Sequence, residues 1–146
     1  ENPLRKRIFP TPSGKALFSD EPLTRAETNE GELLLMTIRS HDQFNTSIFG
    51  LNDRYRGIRN ERRILFMNPD DMASRNIKPE QSVGMTSNDG QKQRKLDGYY
   101  ALPYPIKKGC VAAYFPEANR LTSIDQTNPL CHTPAFKSIR VRVNAQ

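Results

Sequence analysis

The sequence predicts a β-rich domain with a few short helices, on three observations. Its apolar residues gather in short runs, residues 33–38, 64–67 and 110–115, of the length that strands take. No apolar period is sustained beyond about three helical turns, which disfavours a helical bundle. Eleven prolines and eight glycines punctuate the chain, as suits many short strands joined by turns. At 146 residues the chain is one domain's worth, long enough to bury a core without disulfides. Only 36% of the residues are hydrophobic, but they cluster, which separates the chain from a disordered one and implies long polar loops. A net charge of +6 would attract an anionic partner.

Residues 1–32 read as a linker and leading segment, and residues 33–146 as the domain. Pro3, Pro10, Pro12, Gly14 and Pro22 break up the first part, and only residues 15–18 look like a short strand. The basic group Arg5, Lys6 and Arg7 reads as solvated linker more readily than as a phosphate contact. The chain has no initiator Met and no signal-peptide pattern, and its opening reads like a linker, so a fragment of a longer, cytoplasmic polypeptide is expected. No apolar stretch approaches the ~18 residues of a membrane helix, so no membrane partner is expected.

Residues 33–46, LLLMTIRSHDQFNT, join the greasiest run to a dense polar segment. A core strand running into a donor-rich loop is a usual place for ligand-binding groups. Residues 48–60 form a second long loop. Arg54, Arg56, Arg59, Arg62 and Arg63, with Tyr55 among them, resemble a basic-aromatic nucleic-acid patch; a loop packed over the domain's own ligand, or solvated, fits equally well. Residues 64–67 are a short buried strand. In Asn68-Pro69-Asp70-Asp71, Asn is a good N-cap and Pro suits the first helical position, while the carboxylates complement the helix dipole. A helix is expected from Pro69 to about Arg75, with Asn76 left-handed at its end. Asp70 and Asp71 do not share a helical face, so paired acid-base catalysis is not inferred.

Lys78-Pro79 turns the chain, residues 82–87 form a strand, and Asn88-Asp89-Gly90 is a strong turn. A returning strand spans roughly residues 91–102, its charged first half forming an exposed hairpin tip, and Pro103 and Pro105 end its ladder. Gly109 allows an unusual backbone angle before the apolar residues 110–115, and residues 116–119 turn again. Asn119 either stabilises that turn or touches a ligand. In the last strand Ile139, Val141 and Val143 alternate with Arg140 and Arg142, one face buried and one wet.

Cys110, Cys131, His41 and His132 are the whole soft-ligand inventory, and their spacing is poor for zinc. The cysteine spacing permits a disulfide, but nothing indicates export, so free thiols are the reading.

Five segments in order resemble the C-terminal dinucleotide-binding domain of molybdopterin oxidoreductases of the formate dehydrogenase and DMSO reductase superfamily. They are FPTPSGKALF at residues 9–18, TIRSHDQFNT at 37–46, FMNPDDMASRNI at 66–77, YFPEANRLT at 114–122 and TPAFKSIRVRV at 133–143. The resemblance implies a six-stranded double-psi β-barrel that caps the active-site funnel and contacts the pterins of a bis-molybdopterin guanine dinucleotide (bis-MGD) holding molybdenum. It carries cofactor contact onto Thr37, Arg39, Ser40, His41, Asn45 and Thr46, onto Phe115, Pro116 and Asn119, and onto Lys137. Arg39 and Lys137 suit pyrophosphate, and the Asn119 amide suits the donor and acceptor edge of a pterin.

The resemblance implies no catalytic residue and no metal ligand here, since the family's metal-ligating residue sits in an earlier domain. The partners would be the pterin dinucleotide and other domains of the same polypeptide, with an iron–sulfur cluster a further option in those domains. The full-length enzyme would perform two-electron chemistry at molybdenum, and the isolated fragment would be inactive. Two departures stand out: Glu80-Gln81 replaces the family's usual Gly-Asp, and Asn76 replaces a common Gly. Two readings of other classes are a basic barrel that binds single-stranded nucleic acid, which is disfavoured, and a protein-interaction double-psi barrel.

Overall fold

A computed structural model describes residues 3–20, 22, 26–44 and 50–146. The domain is a closed six-stranded barrel of mixed strands with little helix, as the sequence predicts. Its strands are β1 (Leu33–Ile38), β2 (Ile64–Met67), β3 (Ser82–Asn88), β4 (Gln93–Pro103), β5 (Cys110–Tyr114) and β6 (Ile139–Ala145). Around the barrel they run β1-β5-β2-β4-β3-β6. β1 pairs parallel with β5 and β2 parallel with β4, and the remaining neighbours are antiparallel. Among the described residues closure leaves no edge strand open to a foreign chain.

The inward faces of all six strands supply one core. Leu33 and Leu35 of β1 pack in the same cluster as Val111 and Ala113 of β5, Leu65 and Met67 of β2, and Val83 and Met85 of β3. Tyr99 and Ala101 of β4 and the alternating Ile139, Val141 and Val143 of β6 complete it. β2 is buried along its whole length, because its outer face has a roof of its own. Ile64 and Phe66 pack there with Ile58, Ala112 and Tyr114, beneath the arginine-rich loop. That second layer explains why residues 64–67 are apolar without alternation.

The helix α1 (Pro69–Ser74) starts as its sequence demands: the Asp70 N–H donates to the Asn68 side chain at 2.9 Å. Asn76 is left-handed, with φ of 54°. Asp71 does more than complement the dipole. Its carboxylate is buried and accepts the Gly109 N–H at 2.7 Å, tying α1 to the residue that launches β5, where φ is 83°.

One expectation changes. Residues 15–18 form no strand, and Leu17 and Phe18 are exposed; the barrel is closed, so no ladder is free to receive them. The hairpin tip is exposed as expected, at Gln91, Lys92, Gln93 and Lys95. Within it Arg94 is half-buried, pairing with Asp89 at 2.6 Å and donating to Ser123 at 3.0 Å.

Glu80 is left-handed, with φ of 63°, at the position where the resembled family usually carries Gly. A side chain there is strained, and Gly relieves the strain at some cost in unfolded-chain entropy. Glu80→Gly is therefore expected to raise the unfolding free energy by about 0.5–1 kcal/mol in urea denaturation. A loss would show that this turn tolerates the side chain without strain.

Candidate functional site

The polar loop leaves the barrel at the end of β1 and meets the turn that follows β5. Parallel pairing of these strands sets Ile38 opposite Tyr114, so both chains exit at the same rim. The Phe115 N–H donates to the Ile38 carbonyl at 2.7 Å and extends the ladder by one bond. A cis bond joins Phe115 to Pro116. A short 3-10 helix, Glu117–Leu121, follows, and the Asn119 N–H closes its first turn on the Pro116 carbonyl at 2.9 Å. The approach to β6 completes the rim, where the Thr37 N–H donates to the Phe136 carbonyl at 2.9 Å.

Most of the sequence-predicted residues meet here. The Lys137 ammonium donates to the Thr37 carbonyl. The exposed Arg39 guanidinium stands 6.0 Å from the Phe115 ring centroid, and the Phe115 ring lies edge-on to Phe136 at 6.4 Å. Ser40 is buried and Thr37 more so, so the Thr37 side chain joins the barrel interior with Leu33 and Leu35. Pro116 and Asn119 are half-buried. The Asn119 Oδ1 is buried with no hydrogen-bond partner among the described residues. His41 stacks on Tyr55 of the arginine-rich loop, with ring centroids 3.5 Å apart. Asn45 and Thr46 lie outside the described residues.

Two side chains that the sequence reading did not single out bind this rim together. Arg62, only 5% exposed, donates to the Ser40 Oγ at 3.1 Å, the Gln43 Oε1 at 3.2 Å and the Phe115 carbonyl at 2.7 Å. It also forms a forked pair with Glu117, at 2.6 and 3.2 Å. Gln43, 6% exposed, accepts through Oε1 while its Nε2 has no partner among the described residues. In the sequence Arg62 was one arginine of a basic run and Gln43 one donor of a polar run. No spacing signal marks either, because their partners lie up to 55 residues away.

The arginine-rich loop supports the same rim from outside the barrel. Asp53 and Ile58 exchange both backbone hydrogen bonds at 3.0 Å. The buried Asp53 carboxylate accepts from the Tyr114 hydroxyl at 2.9 Å and from Arg56 at 2.5 Å. Arg56 donates onward to the Arg39 carbonyl at 3.3 Å. Burial pushes the Asp53 carboxyl up, but the hydrogen bonds of Arg56 and Tyr114 with the Arg56 charge outweigh it and hold it below its ordinary value. Burial, and then the bond to Asp53, pushes the Tyr114 phenol well above its usual value. Arg56 and Arg62 are thus structural members of this domain.

These features define a class: a closed β-barrel domain that presents one polar rim made from a strand-end loop, a cis-proline turn and the approach to the last strand. The chain matches the molydopterin dinucleotide binding domain over residues 33–140 and belongs to that family. It is 40% identical over 146 residues to an uncharacterized oxidoreductase of Mycobacterium tuberculosis (strain ATCC 25618 / H37Rv), covering 97% of this chain and 19% of that protein. It is 33% identical over 148 residues to protein YdeP of Escherichia coli (strain K12), covering 97% of this chain and 20% of that protein. The chain thus spans about a fifth of the length of the curated relatives it matches. No helix among the described residues is long and apolar enough to cross a membrane.

Proposed function

We propose that this chain is the C-terminal cofactor-binding domain of a cytoplasmic, formate dehydrogenase-like molybdenum oxidoreductase, gripping the pterin and pyrophosphate parts of bis-MGD. The observation that carries this reading is the meeting of Arg39, Phe115, Asn119 and Lys137 at the rim where β1 and β5 end, in a chain whose family takes this class of group. The residues fit it. The Asn119 Oδ1 is a buried acceptor without a partner among the described residues, as a pterin's N–H edge requires. Arg39 presents a planar fork to phosphate. Lys137 has three N–H donors and commits one to Thr37, leaving two for an anion.

Thr37 and Ser40 act as supports, Thr37 by fixing Lys137 and Ser40 through Arg62. His41 is held at the rim by Tyr55. When bound, the group supplies two-electron redox chemistry at molybdenum, while the protein supplies binding and orientation. Other domains of the same polypeptide complete the site.

Metal and guanine-nucleotide analysis of the full-length protein tests the reading, with both expected in an active preparation and the absence of both refuting it. Arg39→Ala and Asn119→Ala should each lower cofactor occupancy about tenfold under limiting cofactor, from the loss of one buried or charge-assisted hydrogen bond, while the domain's circular dichroism is unchanged. Wild-type occupancy in both variants would put the binding surface elsewhere.

A further inference from the structure

We propose that Arg62 is a positioning residue of the cofactor surface: it clamps the loop after β1 to the cis-proline turn and orients the Gln43 amide so that Nε2 is left as a dedicated donor to the pterin. The inference rests on the cofactor-binding reading above and adds two residues to it, one that positions and one that touches.

A single nitrogen carries the clamp. Arg62 Nη2 bonds the Gln43 Oε1 at 3.2 Å, the Phe115 carbonyl at 2.7 Å and a Glu117 oxygen at 3.2 Å. The first of these lies on the loop after β1 and the other two lie on the turn after β5. The same guanidinium reaches the Ser40 Oγ and the Gly50 carbonyl, each at 3.1 Å. Burying a guanidinium is costly, and a well-packed apolar pair would hold two loops together as well. What the planar fork adds is direction, since its donors fix where each acceptor points.

For Gln43 the direction is settled by its neighbours. Oε1 accepts from the Ser40 N–H at 3.3 Å and from Arg62, and the Ser40 Oγ, itself an acceptor for Arg62, stands 3.5 Å away. The Ser40 N–H and the Arg62 guanidinium can only donate, so both need the oxygen and the amide cannot turn over. Nε2 is left buried and without a partner among the described residues, on a residue 6% exposed. Buried amide donors are normally satisfied. Across the clamp, on the other segment, the Asn119 Oδ1 is an equally unpartnered acceptor. One free donor and one free acceptor, held on two segments by one arginine, match a heterocyclic edge that both donates and accepts.

The test uses the full-length protein loaded with cofactor. Release is followed as pterin fluorescence in the ultrafiltrate after dilution, and Tm is measured on the same samples. Gln43→Glu keeps an oxygen for Ser40 and Arg62 but replaces the donor. It should leave Tm within about 2 °C of wild type, because the clamp stays intact, and should speed release about tenfold, as expected for one lost buried hydrogen bond. The faster release should persist in about 0.5 M KCl, where distant charge repulsion is screened. Arg62→Lys keeps the charge but cannot span both segments, and should release pterin faster than Met85→Ala, a core variant on β3 compared at matched loss of Tm. Wild-type release from Gln43→Glu, or release from Arg62→Lys no faster than from the stability-matched control, overturns the proposal. If Arg62→Lys does not fold, Gln43→Glu decides alone. Wild-type protein that carries no pterin refutes the cofactor-binding reading itself, a failure visible before any variant is compared.

Discussion

Arg62→Ala should lower the unfolding free energy by about 2–4 kcal/mol, below the full range for removing one partner of a buried ion pair because the Glu117 carboxylate keeps partial access to water, and its neighbour Arg63→Ala by no more than about 0.5 kcal/mol. The two arginines are adjacent, and tertiary placement alone separates them. Arg62 is buried against Glu117, the Phe115 carbonyl, Gln43 and Ser40. Its removal leaves a half-buried carboxylate and a half-buried carbonyl short of their donor. The Arg63 guanidinium is largely exposed and lies 3.8 Å from Glu61, a surface pair that contributes little. Urea denaturation followed by far-UV circular dichroism checks both. Equal losses from the two variants would show that the Arg62 clamp adds nothing to folding.

Asp53→Ala should cost about 2–3 kcal/mol, below the full range for a buried pair because Arg56 keeps partial access to water. The variant leaves the Tyr114 hydroxyl buried without its acceptor, so Tyr114→Phe in the Asp53→Ala background should recover part of the loss. The acid limb carries a second signature. Asp53 has its carboxyl held down in the folded state. Its contribution is therefore fully present above the unfolded value of about 3.9 and disappears as pH falls through the lower folded value. Wild-type stability should fall below about pH 4, and Asp53→Ala should show a shallower fall there. The slope does not vanish, because Glu61 and Asp89 are held down as well, each chiefly by backbone N–H donors. Urea midpoints between about pH 3 and 6 test this; parallel curves for the two proteins would remove Asp53 from the acid response.

The two networks show why so much of the candidate rim was legible in the sequence and why its supports were not. Thr37, Arg39, Ser40 and His41 fall in one polar run after an apolar one, and Phe115, Pro116 and Asn119 fall in one turn, so a reader of local pattern meets them as groups. Arg62 and Gln43 sit in equally plain polar stretches. Their importance comes from bonds to residues that local pattern cannot pair with them, such as Arg62 to Glu117 across 55 positions. Lys137 was found only through resemblance, and its bond to Thr37 crosses 100 positions.

By itself the sequence determined the local elements. Apolar run length placed β1, β2 and β5, turn residues bounded β3 and β4, Asn68-Pro69 placed the start of α1, Asn76 and Gly109 took left-handed conformations, and the alternation of residues 139–143 placed β6 and set which of its faces is buried. Each of these follows from steric preference and periodicity over a few residues. Only the tertiary structure decided the rest. Barrel closure sets β1 beside β5, brings the polar loop to the cis-proline turn, draws Arg56 and Arg62 inward, and leaves residues 15–18 without a ladder to join. A guanidinium has the same chemistry in solvent and in a core. Whether it is a solvated charge or a clamp depends on which acceptors the closed barrel carries to it.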